Sequence, residues 1–286
     1  MSLTIGTNIA ALSAATYLDR NNSDAAKSIA RLASGSRLAI PSDDAGSLAV
    51  SGNLTARISR LTAATSVTQS AVSLAQTVDG FLSTIQNQIT RLGELAQAAT
   101  NGVFSSSDRS NYQAEFSSLL SQVNLIATSA TFDGLSLFSS STVTLAINAN
   151  GATDTFVLTT VATATSLGLS AVSIGTVTAA TGAVSLLNAA IACVTSRRAS
   201  VNADISKFNF YTTNLGTEQT NVTSANSAIS DLDIAAESTR LSKSTILAQF
   251  GVALLAQTNT NQKNVLGLLT SSSSATLSSR SAGFLA

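Results

Sequence analysis

Two pairs of closely spaced carboxylates, Asp43/Asp44 and Asp231/Asp233, are the side chains in this 286-residue sequence whose spacing could support acid–base chemistry. Acids at the start of a helix complement its macrodipole, so both pairs read as helix-start charges rather than catalytic groups. The sequence has no histidine, which removes the commonest general base and the commonest metal ligand. The single Cys193 cannot form an internal disulfide. It lies in Ala190-Ile191-Ala192-Cys193-Val194, where a small buried hydrophobe is expected. No Gly-rich phosphate loop, zinc spacing or triad can be assembled. The reading is therefore not an enzyme, with no catalytic residue, metal or cofactor.

Only 10% of residues are charged, 15 basic against 15 acidic. Zero net charge argues against a nucleic-acid partner. It suits a molecule that must approach many copies of itself. Met1 to Ala15 lacks a positive n-region and a continuous apolar h-region, so no secretory signal is expected. No membrane helix is expected either, because the longest greasy run, Ile246 to Leu255, is interrupted by Gln249 and Gly251.

Elements able to position side chains are mostly helical. The single proline, Pro41, leaves room for long helices. In the first, Ile5, Ile9 and Leu12 share a face, as do Leu18, Ala25, Ile29 and Leu32, up to Ser34-Gly35-Ser36. After Ile40-Pro41, Ser42 is placed to cap a second helix with Asp43 and Asp44 in its first turn. Leu54, Ile58, Leu61, Thr65, Thr68, Val72 and Ala75, then Leu82, Ile85, Ile89, Leu92, Ala96 and Ala99, continue a heptad-like seam to Asn101-Gly102. A third helix carries the stripe Tyr112, Phe116, Leu119, Val123, Ile126 and leaves at Phe132-Asp133-Gly134.

The period then changes to two. Val143, Leu145 and Ile147 alternate with polar residues, Asn150-Gly151 signals a hairpin, and Thr153 to Thr159 reads as the return strand. A fourth helix, from about Ala183 to Ser230, places Val184, Leu187, Ile191, Val194, Val201, Ile205, Phe208, Leu215, Val222 and Ile229 on one grid. Arg198, Thr212, Gln219 and Asn226 fill the remaining grid positions and could fix register. The fifth, from about Leu232, points Leu241, Ile246, Leu247, Phe250, Val252, Leu254 and Leu255 in nearly every direction. A helix apolar all round must be buried. The N-terminal helix alone cannot cover it, so partner molecules are expected to.

Several motifs resemble the bacterial flagellin family. They are Leu32-Ala33-Ser34-Gly35-Ser36-Arg37-Leu38 with Asp43-Asp44-Ala45, Ser73-Leu74-Ala75-Gln76-Thr77-Val78-Asp79-Gly80, Ala99-Thr100-Asn101-Gly102, Phe132-Asp133-Gly134, Ile229 to Glu237, Leu255-Ala256-Gln257-Thr258-Asn259 and Asn264 to Leu269. Each alone is weak; collinear and correctly spaced, they are specific.

The resemblance implies a mainly α fold, a long-helix coiled-coil rod with a small β-hairpin region at its tip. Residues 1–44 with 231–269 would form an inner coiled-coil domain. Residues 45–230 would form an outer helical rod with a β region at 139–182. Residues 270–286 depart from the family pattern, which usually stops near Leu269; their Ser-rich composition suggests a flexible tail, of which some ordered packing is expected. Ala39-Ile40 replaces the polar pair usual after Arg37-Leu38, so hydrogen bonding there is expected to differ.

The function implied is a secreted, extracellular subunit that polymerises into the flagellar filament. Its partners would be copies of itself, hook-associated and cap proteins, and an export chaperone on the C-terminal helix. A hook–filament junction protein of the same superfamily is the alternative. A chemoreceptor-type signalling hairpin would need a membrane helix or a highly charged hairpin tip. Candidate subunit contacts are Ile5, Ile9, Leu12, Leu241, Ile246, Leu247, Phe250, Leu254, Leu255, Val265 and Leu268, with Ser42, Asp43 and Asp44 at the spoke. Arg91, Leu95 and Glu115 match a family patch between protofilaments, which an innate immune receptor reads in some members. The bland alternative for that patch is a solvated helix face. O-linked sugars on the Ser/Thr-rich β region are weighed against simple solubility.

Overall fold

The computed structural model describes residues 7–139, 141–146, 152–158 and 162–282, with the side chains of 141, 146, 269 and 271–282 left aside. Ile5, Ile147, the Asn150-Gly151 turn and Gly283 to Ala286 lie outside the described residues. The helices are α1 (Ile9–Ser34), α2 (Ala45–Ala99), α3 (Ser106–Ser129), α4 (Val177–Ser230) and α5 (Ile234–Ala282). Between α3 and α4 stand β1 (Thr131–Phe132), β2 (Leu135–Ser136), β3 (Ser141–Ala146) and β4 (Thr153–Leu158). The chain divides into two compact units, Met1–Leu54 with Ser224–Ala286, and Thr55–Thr223.

The second unit holds the large core. Along α2, Leu61, Leu82, Ile85, Ile89, Leu92, Ala96 and Ala99 are fully buried at alternating spacings of three and four. Thr68, on the same stripe, is buried and satisfied because its hydroxyl donates to the Ala64 carbonyl at 2.8 Å. Helix α3 begins with a capping box. The Asp108 amide donates to the Ser105 hydroxyl at 3.2 Å, and the Ser105 amide to the Asp108 carboxylate at 3.0 Å. The Ser105 hydroxyl, donating to the Asp108 carboxylate at 2.8 Å, and then the Ser105 amide hold the Asp108 carboxyl below the usual carboxylate range. Phe116 and Val123 turn inward.

Helix α4 supplies Leu187, Val194, Val201, Phe208, Leu215 and Val222 at seven-residue intervals, all buried. Two of its polar grid residues in this unit reach α2. Arg198 forks onto Asp79 at 2.9 and 3.2 Å and donates to Gln86 at 2.9 Å. Gln219 donates to the Thr62 hydroxyl at 3.1 Å. Thr212 instead donates to its own helix, at the Phe208 carbonyl.

Asp133 and Gly134 have φ of 51° and 77°, the left-handed pair of a tight hairpin turn, and they join β1 to β2. Strands β3 and β4 pair antiparallel with Val143 opposite Phe156. Their inner face buries Leu145, Phe156 and Leu158, and Phe156 meets Phe208 of α4 edge-on at 6.0 Å. Lys207 of α4 grips Asp154 of β4 at 2.9 Å.

The β region is shorter than the 139–182 expected. Beyond β4 the described chain runs in turns, and α4 begins at Val177. Side chains of α3 strap this segment down, with Gln113 accepting from the Ile174 amide at 2.6 Å and Asn124 from the Ala164 amide at 2.9 Å. Side-chain acceptors thus replace the ladder that the Gly/Thr composition suggested. At the other end, the Ser-rich segment expected to be flexible continues α5 as helix to Ala282.

Two more expectations are corrected. Cys193 is exposed rather than buried, because Ala190 and Val194 take the core-facing positions and leave it on the outer side. Helix α4 also contains an 18-residue window of mean hydropathy 1.8, which passes a length-and-composition test for crossing a membrane. That helix nonetheless places Ala180, Ala183, Leu187 and Ala190 in the core cluster of the second unit.

Candidate assembly surface

Helix α1 is capped at its start by Asn8, whose side chain accepts from the Ala11 amide at 3.0 Å. It ends at Gly35, φ 68°, a left-handed C-cap that a Cβ would strain. Asp233 caps α5 by accepting from the Ala236 amide at 3.0 Å. The two helices run antiparallel. Arg31 meets Glu237 at one end, and the Asn8 amide group reaches the Thr258 carbonyl at the other.

The seam between them mixes small and polar side chains with four leucines. Ala11, Ala14, Leu18, Asn21, Ala25, Ser28 and Leu32 are the shielded positions of α1; Leu241, Ser244, Ala248, Gly251, Leu255 and Thr258 are those of α5. Gly251 lies against Leu18, where an added Cβ would stand 3.4 Å from the leucine Cβ and Cδ1.

Many of the large apolar residues point away from this seam. Ile9, Leu12, Tyr17 and Ile29 of α1 and Ile246, Leu247, Phe250, Val252, Leu254, Leu266 and Leu268 of α5 are 42–70% exposed. Tyr17, Phe250 and Leu254 line an open groove of about 270 Å³. Leu241, Leu255 and Val265 are half-buried in the pair. Each of these side chains, about half in water, forgoes on the order of 1 kcal/mol of burial free energy. An uncovered surface of this extent marks an interaction face.

One polar cluster locks the pair at the α1 exit. Glu237, whose side chain is 3% exposed, faces Arg31 at 3.5 Å and Arg240 at 3.3 Å. Arg31 also donates to Asp43 at 2.7 Å, and Lys27 approaches the same carboxylate at 3.6 Å. A buried carboxylate flanked by two guanidinium groups is held in place, and removing one partner would leave a charge uncompensated. Sequence reading missed Glu237 and Arg31. Their signal was an acid in the first turn of α5 and a base in the last turn of α1, which antiparallel pairing brings together.

The chain segments leaving α1 and α4 zip together. Ser36 and Asp231 form an isolated antiparallel bridge. The Arg37 amide donates to the Ser230 carbonyl at 2.8 Å, and its guanidinium donates twice to the Ile229 carbonyl at 3.0 and 3.1 Å. Ser51 of α2 donates to Asn226 of α4 at 2.8 Å. Ala39 and Ile40 are half-buried here, so Ser36 and Arg37 carry the hydrogen bonds.

The cap of α2 is corrected from Ser42 to Asp44. The Asp44 carboxylate accepts from the Ser47 amide at 2.9 Å, whereas Ser42 lies in the preceding turn. Hydrogen bonds from the Ser47 side chain and backbone hold Asp44 below the usual carboxylate range.

In the second unit, Arg91 pairs with Glu94 at 2.8 Å and with Glu115 of α3 at 2.9 Å on the surface. Those bonds, to Glu94 first, raise the guanidinium's pKa further. Leu95 does not join this patch. It is 4% exposed, in step with Leu92, Ala96 and Ala99 on the core stripe. Among the described residues, no three His, Cys, Asp or Glu side chains converge as a metal site.

Comparison with known proteins matches both the N-terminal and the C-terminal parts of the chain. The bacterial flagellin N-terminal helical region matches residues 5–142, and the bacterial flagellin C-terminal helical region matches 184–269. The chain is 33% identical over 282 residues to a flagellar filament 30.7 kDa core protein of Treponema maltophilum, covering 93% of this chain and 99% of that protein. It is 31% identical over 283 residues to flagellin FlaB2 of Treponema pallidum, with the same coverage of both chains. A crystal structure of Bacillus cereus flagellin aligns with a TM-score of 0.47 and 24% identity, over 51% of this chain and 86% of that one.

Proposed function

The chain belongs to the bacterial flagellin family and is a structural subunit of the flagellar filament, and from that premise we propose how its parts divide the work. The α1/α5 pair is the inner coiled-coil layer, and copies stacked around it cover its outward side chains. Residues 45–230 are the outer wall. The observation that carries this reading is how much large apolar surface the pair leaves outside its seam: the seam takes Leu18, Leu32, Leu241 and Leu255 among alanine, serine and glycine, while Ile9, Leu12, Tyr17, Ile29, Ile246, Phe250 and Leu254 face out. A pair built to be stable alone would bury most of these side chains.

The mechanism is mechanical. The subunit travels through the flagellar type III export route to the extracellular filament with its ends unfolded. Those ends fold on incorporation, so the burial that a solitary chain lacks stabilises the polymer. A chaperone on α5 would cover the same apolar side chains before export. Hook-associated and cap proteins would present matching inner layers at the filament ends. The Arg91/Glu94/Glu115 surface is proposed as a contact between neighbouring outer walls, and as the patch available to an innate immune receptor.

Truncation after Ile234 tests the assignment. The truncated chain should keep a folded, protease-resistant outer unit and add nothing to filament seeds. Filaments grown from it would contradict the proposal.

A further inference from the structure

Helix α2 ends at Ala99, and Thr100 to Ser105 carry the chain round to α3. Asn101, Gly102 and Val103 are exposed in this turn. Every other described asparagine except the α1 cap, Asn8, lies inside a helix, where the next amide is tied to the carbonyl four residues back. Asn8 is followed by the β-branched Ile9. Asn101 is followed by a glycine outside any helix.

The groups around Asn101 favour one reaction. The Gly102 amide N–H donates to no group among the described residues, and no Cβ shields its nitrogen. The Asn101 side-chain oxygen accepts from the Val103 amide at 3.0 Å, which draws electrons from Cγ. The side-chain nitrogen of Asn101 makes no hydrogen bond among the described residues, so nothing holds it as a leaving group. The Asn101 backbone carbonyl, bonded directly to the Gly102 nitrogen, accepts from the Phe104 amide at 3.4 Å and from the Arg109 guanidinium at 3.5 Å. Donors on that oxygen stabilise the negative charge it takes up when the Gly102 amide loses its proton.

We propose that Asn101 is a self-modification site, at which the folded subunit turns a side-chain amide into a carboxylate without an enzyme. Hydroxide takes the Gly102 amide proton, and the nitrogen attacks Asn101 Cγ. A C–N bond forms and closes a cyclic imide. The bond from Cγ to the side-chain nitrogen breaks, and that nitrogen takes a proton from water and leaves as ammonia. Water then opens the imide at either carbonyl, giving aspartate or isoaspartate. Nothing is oxidised or reduced, and water is the sole co-reactant. Each conversion adds one negative charge to a chain of 15 basic and 15 acidic residues. The new carboxylate forms beside Arg109, which makes no salt bridge among the described residues and whose Nε is buried without a partner.

The full chain, incubated at mildly alkaline pH both folded and in denaturant, provides the test. Trypsin cuts after Arg91 and Arg109 and releases residues 92–109, in which Asn101 is the only asparagine. Tandem mass spectrometry reads acid against amide in that peptide, and an isoaspartyl methyltransferase detects the isomer. In the folded chain Asn101 should convert at least as fast as in denaturant, while the exposed but helical Asn87 stays an amide. The rate should rise about tenfold per pH unit, as the deprotonated fraction of the Gly102 amide does. In Gly102→Ala the added Cβ meets nothing within 4 Å, so the variant folds. Its hindered nitrogen should convert about tenfold more slowly, equivalent to roughly 1.4 kcal/mol in the barrier. An amide that persists in the folded chain while it converts in denaturant would overturn the proposal, and so would equal rates in wild type and Gly102→Ala.

Discussion

Gly251 sits in the middle of α5 with a helical backbone, so its lack of a side chain answers to packing. A Cβ added there meets the Cβ and Cδ1 of Leu18 at 3.4 Å, the near edge of ordinary contact. Gly251→Ala should therefore fit, and it gains about 1 kcal/mol of helix propensity. Gly251→Leu drives three further carbons into Leu18. Overpacking of that kind costs about 1–3 kcal/mol, against which about 0.7 kcal/mol of propensity is recovered. On the proposal that the α1/α5 pair folds on assembly, both effects should be read in the critical concentration for seeded growth. Alanine should lower it about fivefold, and leucine should raise it about two- to fortyfold, since 1.4 kcal/mol is a factor of ten. Unfolding of the outer unit should move with neither. Equal assembly of the leucine variant and wild type, or an alanine variant worse than leucine, would refute the packing argument.

Leu95→Ala should destabilise the outer unit by about 2–4 kcal/mol, seen as a lower urea midpoint, because it empties a core position. Arg91→Ala should leave that midpoint within about 0.5 kcal/mol and weaken polymerisation only. The hairpin latch gives a pH test. The Lys207 ammonium holds the Asp154 carboxyl below its ordinary range, and Asp154 raises Lys207 above its own. The Asp154 contribution is present above the unfolded carboxyl value of about 3.9 and is lost as pH falls through the lower folded value. The Lys207 contribution is complete below about 10.4 and is lost as pH rises through the higher folded value. Amide exchange of β4 should stay slow between those limits and quicken outside them; a Lys207→Met chain should lose that dependence.

Long periodic segments were legible because one physical rule governed them. The heptad grids of α2 and α4 select buried residues directly, since a long helix lying along a core presents one continuous stripe to it. Leu95 was misplaced because two adjacent residues, Leu95 and Ala96, both fall on the broad core face, and sequence spacing does not say which of a pair turns outward. On α1 the periodicity placed Leu18, Ala25 and Leu32 correctly in the seam but misled for Ile9, Leu12 and Ile29, which are exposed while Ala11, Ala14 and Ser28 take seam positions. Large apolar side chains mark the inside of a helix only when its partner lies within the same chain. Non-local polar contacts left little trace in the sequence. The Glu237–Arg31–Asp43 cluster depends on which residues antiparallel pairing brings level. The straps from Gln113 and Asn124 depend on how a turn segment crosses α3.

Hydrogen exchange of the same chain as free subunit and as seeded filament bears most directly on whether neighbours complete the α1/α5 pair. Amides of Ile9–Ser34 and Ile234–Leu268 should exchange rapidly in the subunit and become strongly protected in the filament, while the buried stripe of α2 stays protected in both. Equal, strong protection of α1 and α5 before and after assembly would contradict the account.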